Sequence, residues 1–272
     1  MAASVRGLAR TLTATTLSWP VKGEDRLFEG SDLAAVIDGA GSPKPISIDG
    51  LSGGAWIAQA LLGRFAGLKA TDIGLDRAVL AMNEEIEADL RQRQIDTGNK
   101  ASVPAASLVA CSAGRDDALV RLVQVGDCQA FVAAGGGARP LFVRQQEPFD
   151  RSMQEAVRAA RQRGENEQSI KDLAARIEIE NRFVMNTPGG YGTIAGDRGV
   201  SEFIRCDAVP LQPVVLTSDG LFDILSADEA RAAVAETIKT LSVAPLAAAI
   251  DARLGETVPP DDISVLVFVP AN

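Results

Sequence analysis

The chain has 272 residues, with 36 acidic side chains against 27 Lys and Arg, a formal charge of −9, 46% apolar residues and 23% charged ones. The acid surplus excludes nucleic acid as a main partner, because phosphate backbones are bound by a surplus of cations, and the apolar share excludes a disordered chain. Histidine is absent altogether, which excludes Ser/His/Asp and Cys/His nucleophilic machinery, His-ligated zinc and the usual neutral-pH proton shuttle.

No apolar run approaches the roughly 18 residues of a membrane span. The stretch up to Trp19 and Pro20 has no continuous apolar segment ahead of a cleavage site, so no membrane partner and a cytoplasmic location are expected. Cys111, Cys128 and Cys206 are isolated and odd in number, as in a reducing compartment.

In chain order, Leu33 to Ile37 reads as a buried strand that runs into a turn at Asp38 and Gly39. A Gly-, Ser- and Pro-rich stretch from Gly39 to Gly54 gives way to helices over Ala55 to Phe65 and Asp76 to Ile95. Strands follow at Ala105 to Ser112, Ala118 to Val125 and Cys128 to Ala133, the last two joined by a turn at Gly126 and Asp127. Phe149 to Arg163 and Glu165 to Phe183 predict charge-laced, exposed helices split at Gly164. Five glycines between Pro188 and Gly199 predict an irregular loop. A strand at Val214 to Thr217 breaks at Ser218, Asp219 and Gly220. Helices follow over Ala227 to Leu241, with Ser226 and Glu229 as a capping box, and over Ala244 to Leu254. Ile263 to Val269 closes the chain as a strand. No linker or repeat interrupts it, so residues 1–272 read as one domain. The element order favours an α+β sandwich of antiparallel sheets covered by helices over a wound parallel sheet.

The chemical signal is a set of acids in one repeated context. Asp38, Asp127 and Asp219 stand where apolar runs stop, Asp261 where one begins, and Glu24 with Asp25 just before the first. Each alone fits a turn or a cap, since Asp and Gly are common turn residues. Together on a shared sheet edge they would repel one another unless a cation intervened, and oxygen donors of this kind suit Mg²⁺ or Mn²⁺. Two such ions would support hydrolysis without histidine.

The set Glu24–Asp25, Asp38–Gly39, Val125–Gly126–Asp127, Leu216 to Asp223 (LTSDGLFD) and Asp261 to Val265 (DDISV), in this order from about residue 20 to 269, resembles the metal-dependent protein phosphatases of the PPM, or type 2C, Ser/Thr class, with Gly189–Gly190–Tyr191 and Ser52 to Trp56 resembling bacterial members. The resemblance implies two antiparallel sheets packed as a sandwich with helices on both outer faces, a four-layer α-β-β-α arrangement, and a helical, flap-like insertion at about 149–199. It implies a binuclear Mn²⁺ or Mg²⁺ centre at one edge whose bridging water attacks phosphoserine or phosphothreonine in a protein substrate. Asp38 would bridge two ions, the Gly39 carbonyl would join it, Asp219 and Asp261 would hold the first ion and Glu24 the second. Asp127 and Asp223 match residues that support a third ion, while Asp25 and Asp262 would stand just behind the ligands. Asp38 and Asp219 are the acids on which turnover should depend most.

Four positions depart from the family pattern. Pro20 stands where an Arg usually grips the phosphate, leaving Lys22 and Arg26 as the nearest cations; Ala40 stands where a His often follows the first Asp–Gly. Cys128 replaces Ser and reads as a small buried hydrophobe, and Asp262 replaces Asn. The expected enzyme is a monomer. Pro20 and Ala40 keep open a second reading, a weak phosphatase-like module that binds a phosphoprotein or partner domain, and hydrolysis of a small phosphorylated metabolite is a third.

Overall fold

A strand buried on both faces must be apolar at nearly every position, and this accounts for the long hydrophobic runs of the chain. In the computed structural model, which describes residues 15–30, 32–68, 74–113, 118–255, 259 and 261–270, those runs form the centres of two antiparallel sheets. The first has the order β1 (Thr15–Trp19), β12 (Ile263–Phe268), β11 (Val214–Thr217), β8 (Gln129–Ala134), β9 (Gly137–Pro140). The second runs β10 (Arg205–Pro210), β7 (Leu119–Val125), β6 (Ala105–Ser112), β3 (Leu33–Ala40), β2 (Arg26–Glu29). The segment before residue 15, part of the stretch read for a leader, lies outside the described residues.

Alternation along each strand sends successive side chains to opposite faces. Ala34 and Val36 of β3, Val109 and Cys111 of β6, Val214 and Leu216 of β11, and Leu266 and Phe268 of β12 meet between the sheets. Their neighbours Ala35 and Ile37, with Leu108 and Val123, pack outward under helices α1 (Gly53–Gly67) and α2 (Leu75–Gln92), against Ile57, Leu61, Phe65, Val79 and Ile86. On the other side Phe131, Val215, Val265 and Val267 pack against Val234, Ile238, Leu246 and Ile250 of α6 (Ala227–Thr240) and α7 (Ala244–Leu254). The architecture is the four-layer α+β sandwich expected. Each large side chain buried this way contributes about 1.5–3 kcal/mol relative to exposure.

Several boundaries differ from those read in the sequence. Asp38 and Gly39 do not form a turn: β3 continues through them to Ala40, pairing Asp38 with Ser107 and Gly39 with Ala106. The Gly126–Asp127 turn does not close a hairpin, because β7 and β8 lie in different sheets and the chain crosses the sandwich there. Gly126 has φ +88°, and a Cβ on it would lie 2.2 Å from Ser107 Oγ, so only glycine fits that crossing. Helix α2 stops at Gln92, short of Ile95, because Gln94 turns left-handed at φ 59°.

Helices α3 (Glu147–Gln162) and α4 (Glu167–Phe183) form a hairpin that turns at Gly164, φ +75°, and is mostly exposed. The glycine-rich segment after it is irregular yet buried. Met185, Tyr191 and Ile194 sink into the α1–α2 core, and the Asn186 amide accepts from Thr193 N and donates to Thr193 O, both at 2.9 Å.

Candidate metal centre

Where the inter-sheet face of each central strand reaches one end of the sandwich, the alternation that supplied Val and Leu supplies polar residues instead. Asp38 follows Ala34 and Val36, Ser107 continues the face of Val109 and Cys111, Ser218 that of Val214 and Leu216, and Ser264 that of Leu266 and Phe268. The crossing at Gly126 delivers Asp127 to the same mouth. Asp219 arrives at the N-cap of the short helix α5 (Gly220–Ile224), where its carboxylate makes no cap hydrogen bond and turns instead to Asp38 and Asp127. Carboxylate oxygens of Asp38, Asp127 and Asp219 all lie within 4.8 Å of one another.

Burial raises the pKa of each of these acids first, and the charge of a neighbouring carboxylate adds to it. Asp38 stands well above the ordinary carboxylate range through burial and then the charges of Asp219, Asp25 and Asp127. Asp219 is pushed up to about 7 by burial and then by Asp127. Asp127 is raised by burial against a hydrogen bond with Ser107. Asp25, hydrogen-bonded with Ser264 and Ser218, is pushed up to about 7, chiefly by burial, and its Oδ2 is buried without a partner.

Glu24 stands beside this trio, 7% exposed, with the Ser52 hydroxyl donating to its Oε1. A Cβ on Gly54, at the start of α1, would meet Glu24 Cδ at 2.7 Å and the Gly39 carbonyl oxygen at 2.8 Å. Glycine at that position lets the two oxygen donors share one small space. Asp261 is half-buried: its Oδ1 accepts from Asp262 N at 2.8 Å and its Oδ2 from Lys22 Nζ at 2.6 Å. Its charge still reaches Asp219 and Asp223.

The structure therefore gathers Asp38, Asp127 and Asp219 into one cluster, and brings Glu24 to the Gly39 carbonyl. Asp261 and the exposed Asp223 stand at the rim. Asp223 is pushed to about 6 by burial of its carboxyl and then by Asp219. Arg26 is committed elsewhere, donating to Gln59 Oε1, Gly23 O and Asp25 O at 2.7–2.9 Å.

The charge of Asp262 reaches Asp25, but its oxygens are taken up by backbone donors. Its carboxylate accepts the backbone N–H groups of Val21, Lys22, Gly23, Glu24 and Asp25. Burial opposes its ionisation, yet these amides hold its pKa below the usual value. One side chain thus fixes the loop that carries Glu24 and Asp25.

Asp150, at the start of α3, joins these acids without any apolar run to mark it, and burial and then the Asp219 charge push it to about 6. Ser107, Ser218 and Ser264 carry the inward parity of their strands, a signal present in the alternation of the sequence.

Oxygen donors alone, three of them crowded carboxylates and a fourth acid with an unpartnered oxygen, fit hard divalent ions such as Mg²⁺ or Mn²⁺. Fold and cluster together define a metal-dependent hydrolase built on a β-sandwich. The sequence model of the family described as Protein phosphatase 2C matches residues 23–256, and the chain belongs to that family of metal-dependent Ser/Thr protein phosphatases.

Solved structures share the fold. The Mycobacterium tuberculosis serine/threonine phosphatase PstP/Ppp is 19% identical, with a TM-score of 0.63 over 96% of this chain and 99% of its own. The catalytic domain of PstP, solved in complex with two manganese ions, is 18% identical, with a TM-score of 0.61 over 96% and 100%. Stp1 from Staphylococcus aureus is 14% identical, with a TM-score of 0.60 and both chains covered in full. No curated protein sequence matches the chain.

Proposed function

We propose that this chain removes phosphate from phosphoserine and phosphothreonine in proteins, with Mn²⁺ or Mg²⁺ held by Asp38, Asp127, Asp219, Asp261, Glu24 and the Gly39 carbonyl. The observation that carries this reading is the crowding of Asp38, Asp127 and Asp219 within 4.8 Å at the mouth of a Protein phosphatase 2C sandwich. Two divalent ions held there supply Lewis acidity to the phosphoryl oxygens and a nucleophilic water at neutral pH.

The chain's own residues do the rest. Asp25, hydrogen-bonded with Ser264, Ser218 and Asp38, stands behind the proposed ligands and orients Asp38. Asp262 holds the Glu24–Asp25 loop against the start of β12 through five amides. In the overall reaction the water oxygen bonds to phosphorus, the phosphorus–oxygen bond to Ser or Thr breaks, and one water proton ends on the departing hydroxyl. The exposed α3–α4 hairpin and its buried loop, about 149–199, act as a flap that selects the protein around the phosphorylated residue. A cytoplasmic monomer belongs to the same reading, checked by fractionation and light scattering.

The test is phosphate release from phosphoserine and phosphothreonine peptides with and without Mn²⁺, for the wild type and for Asp38→Ala and Asp219→Ala. Mn²⁺-dependent release abolished by either change is expected. Release that survives both overturns the assignment, and tight Mn²⁺ binding without turnover on any peptide would instead mark a phosphoprotein-binding module.

A further inference from the structure

A dianionic phosphoryl group approaching a cage of acids needs a cation of the protein's own to orient it. The two cations nearest in sequence have prior engagements: Lys22 Nζ is bonded to Asp261, and Arg26 makes three hydrogen bonds to Gln59, Gly23 and Asp25. A different cation reaches the centre from the far side of the mouth. Arg144 lies in the 141–146 segment between β9 and α3, its guanidinium carbon 4.6 Å from the centroid of the Phe222 ring. Phe222 is in the first turn of α5, its N–H donating to Asp219 O at 2.7 Å, and Asp223 follows it.

The segment is tied to the centre at several points. Gln145 N donates to Gly126 O at 3.3 Å, next to Asp127, and Gln146 Nε2 to Ser107 Oγ at 3.2 Å, the hydroxyl that Asp127 uses. Gln145 Oε1 accepts from Gly192 N, and Gln124 Nε2 donates to Val143 O. Arg144 thus starts from a backbone held on both sides. Its Nε is buried without an acceptor, and among the described residues no carboxylate pairs with its guanidinium. Its positive charge nevertheless acts on Asp127, Asp150, Asp219 and Asp223, opposing the rise that burial imposes on each. Beside it opens a cavity of about 280 Å³ lined by Phe131, Phe142, Glu147, Phe222 and Arg231.

We propose that Arg144 grips the phosphoryl oxygens of the substrate and of the released phosphate, with Phe222 setting the plane of its guanidinium. Stacking on an aromatic ring leaves the edge of the guanidinium, with its N–H donors, free for two parallel bonds to phosphate oxygens, a fork that Lys cannot offer. The assignment deepens the phosphatase reading and rests on it.

The experiment compares wild type, Arg144→Ala and Arg144→Lys, each loaded with Mn²⁺. The readouts are KM and kcat on a phosphothreonine peptide, Ki for inorganic phosphate, direct phosphate binding by calorimetry, and Mn²⁺ affinity. Arg144→Ala should raise KM and phosphate Ki roughly tenfold to a hundredfold, the range for hydrogen bonds to a charged group, with melting temperature kept and Mn²⁺ affinity no weaker. Arg144→Lys should recover part of the loss. Unchanged Ki in a folded Arg144→Ala protein overturns the proposal. Should that variant fail to fold, Arg144→Lys decides it: an unchanged Ki shows that no fork is used. If the wild type itself neither releases nor binds phosphate, the phosphatase reading falls and this assignment with it; if only the Arg144 comparison is flat, the assignment alone falls.

Discussion

Two neighbouring parts of the mouth bury carboxylates in opposite ways. Asp262, 3% exposed, sits among five backbone N–H groups, and its ionised form is favoured despite burial. Asp38, Asp127 and Asp219 sit among one another, and their ionised forms are penalised. The same functional group is a structural clamp where donors surround it and a cation cage where other acids do. Folding satisfies the first by itself, whereas the second is complete only with divalent ions.

Removing a carboxylate from each part separates the two roles. The largest effect is expected from Asp38→Asn. On the proposed assignment Asp38 shares charge with the ions, and its loss removes several kcal/mol of transition-state stabilisation, roughly a thousandfold in turnover. The metal-free protein should melt no lower than wild type, because one repelling charge has gone; a lower melting temperature in EDTA would contradict the cage description. Asp262→Ala should behave in reverse. It strands five amides, each able to cost about 1–3 kcal/mol where water cannot reach it, so urea denaturation of the metal-free protein should show a loss of about 3 kcal/mol or more. Asp262→Asn, which keeps one acceptor oxygen, should lose less.

The pH dependence distinguishes the two parts without mutation. Asp25 and Asp219 titrate near 7 in the folded chain, against about 3.9 for an unfolded Asp. Their contribution to metal-free stability is therefore full below about pH 4 and is lost as pH rises through 7. Asp262, held below its ordinary value, contributes above about pH 4 and loses that contribution as pH falls through its lowered pKa. Thermal melts in EDTA should accordingly weaken from pH 5 to pH 8. Added Mn²⁺ should restore several degrees at pH 8 and little at pH 5, where protons compete for the same oxygens. Equal Mn²⁺ shifts at both values would break the comparison. The smallest effect belongs to the rim: Asp223 is exposed, so Asp223→Asn should change the Mn²⁺ concentration for half-maximal activity only a few-fold.

The centre of each sheet was legible in the sequence and the edges were not. The strands over Ala105–Ser112 and Val214–Thr217 and the helix over Ala244–Leu254 match the expected bounds, and the Ser226–Glu229 capping box is present. Among the longer strands, those the sequence did not announce are β1, β2, β9 and β10, the four sheet edges. An edge strand has less to bury: five of the six residues of β10 are exposed, so no apolar run marks it. Helix α5, five residues long, is too short for a helical period to emerge.

The sequence by itself determined the chemistry available: no histidine, an excess of acids, and carboxylates placed at the ends of apolar runs, because a buried strand must change composition where it meets water. Tertiary structure decided what each acid does. The crossing of the chain at Gly126, the parity of β3 through Asp38 and the arrival of the Val21–Asp25 amides around Asp262 are long-range events. A carboxylate's ionisation depends on whether donors or other charges are folded against it, and those neighbours lie up to 241 residues away along the chain.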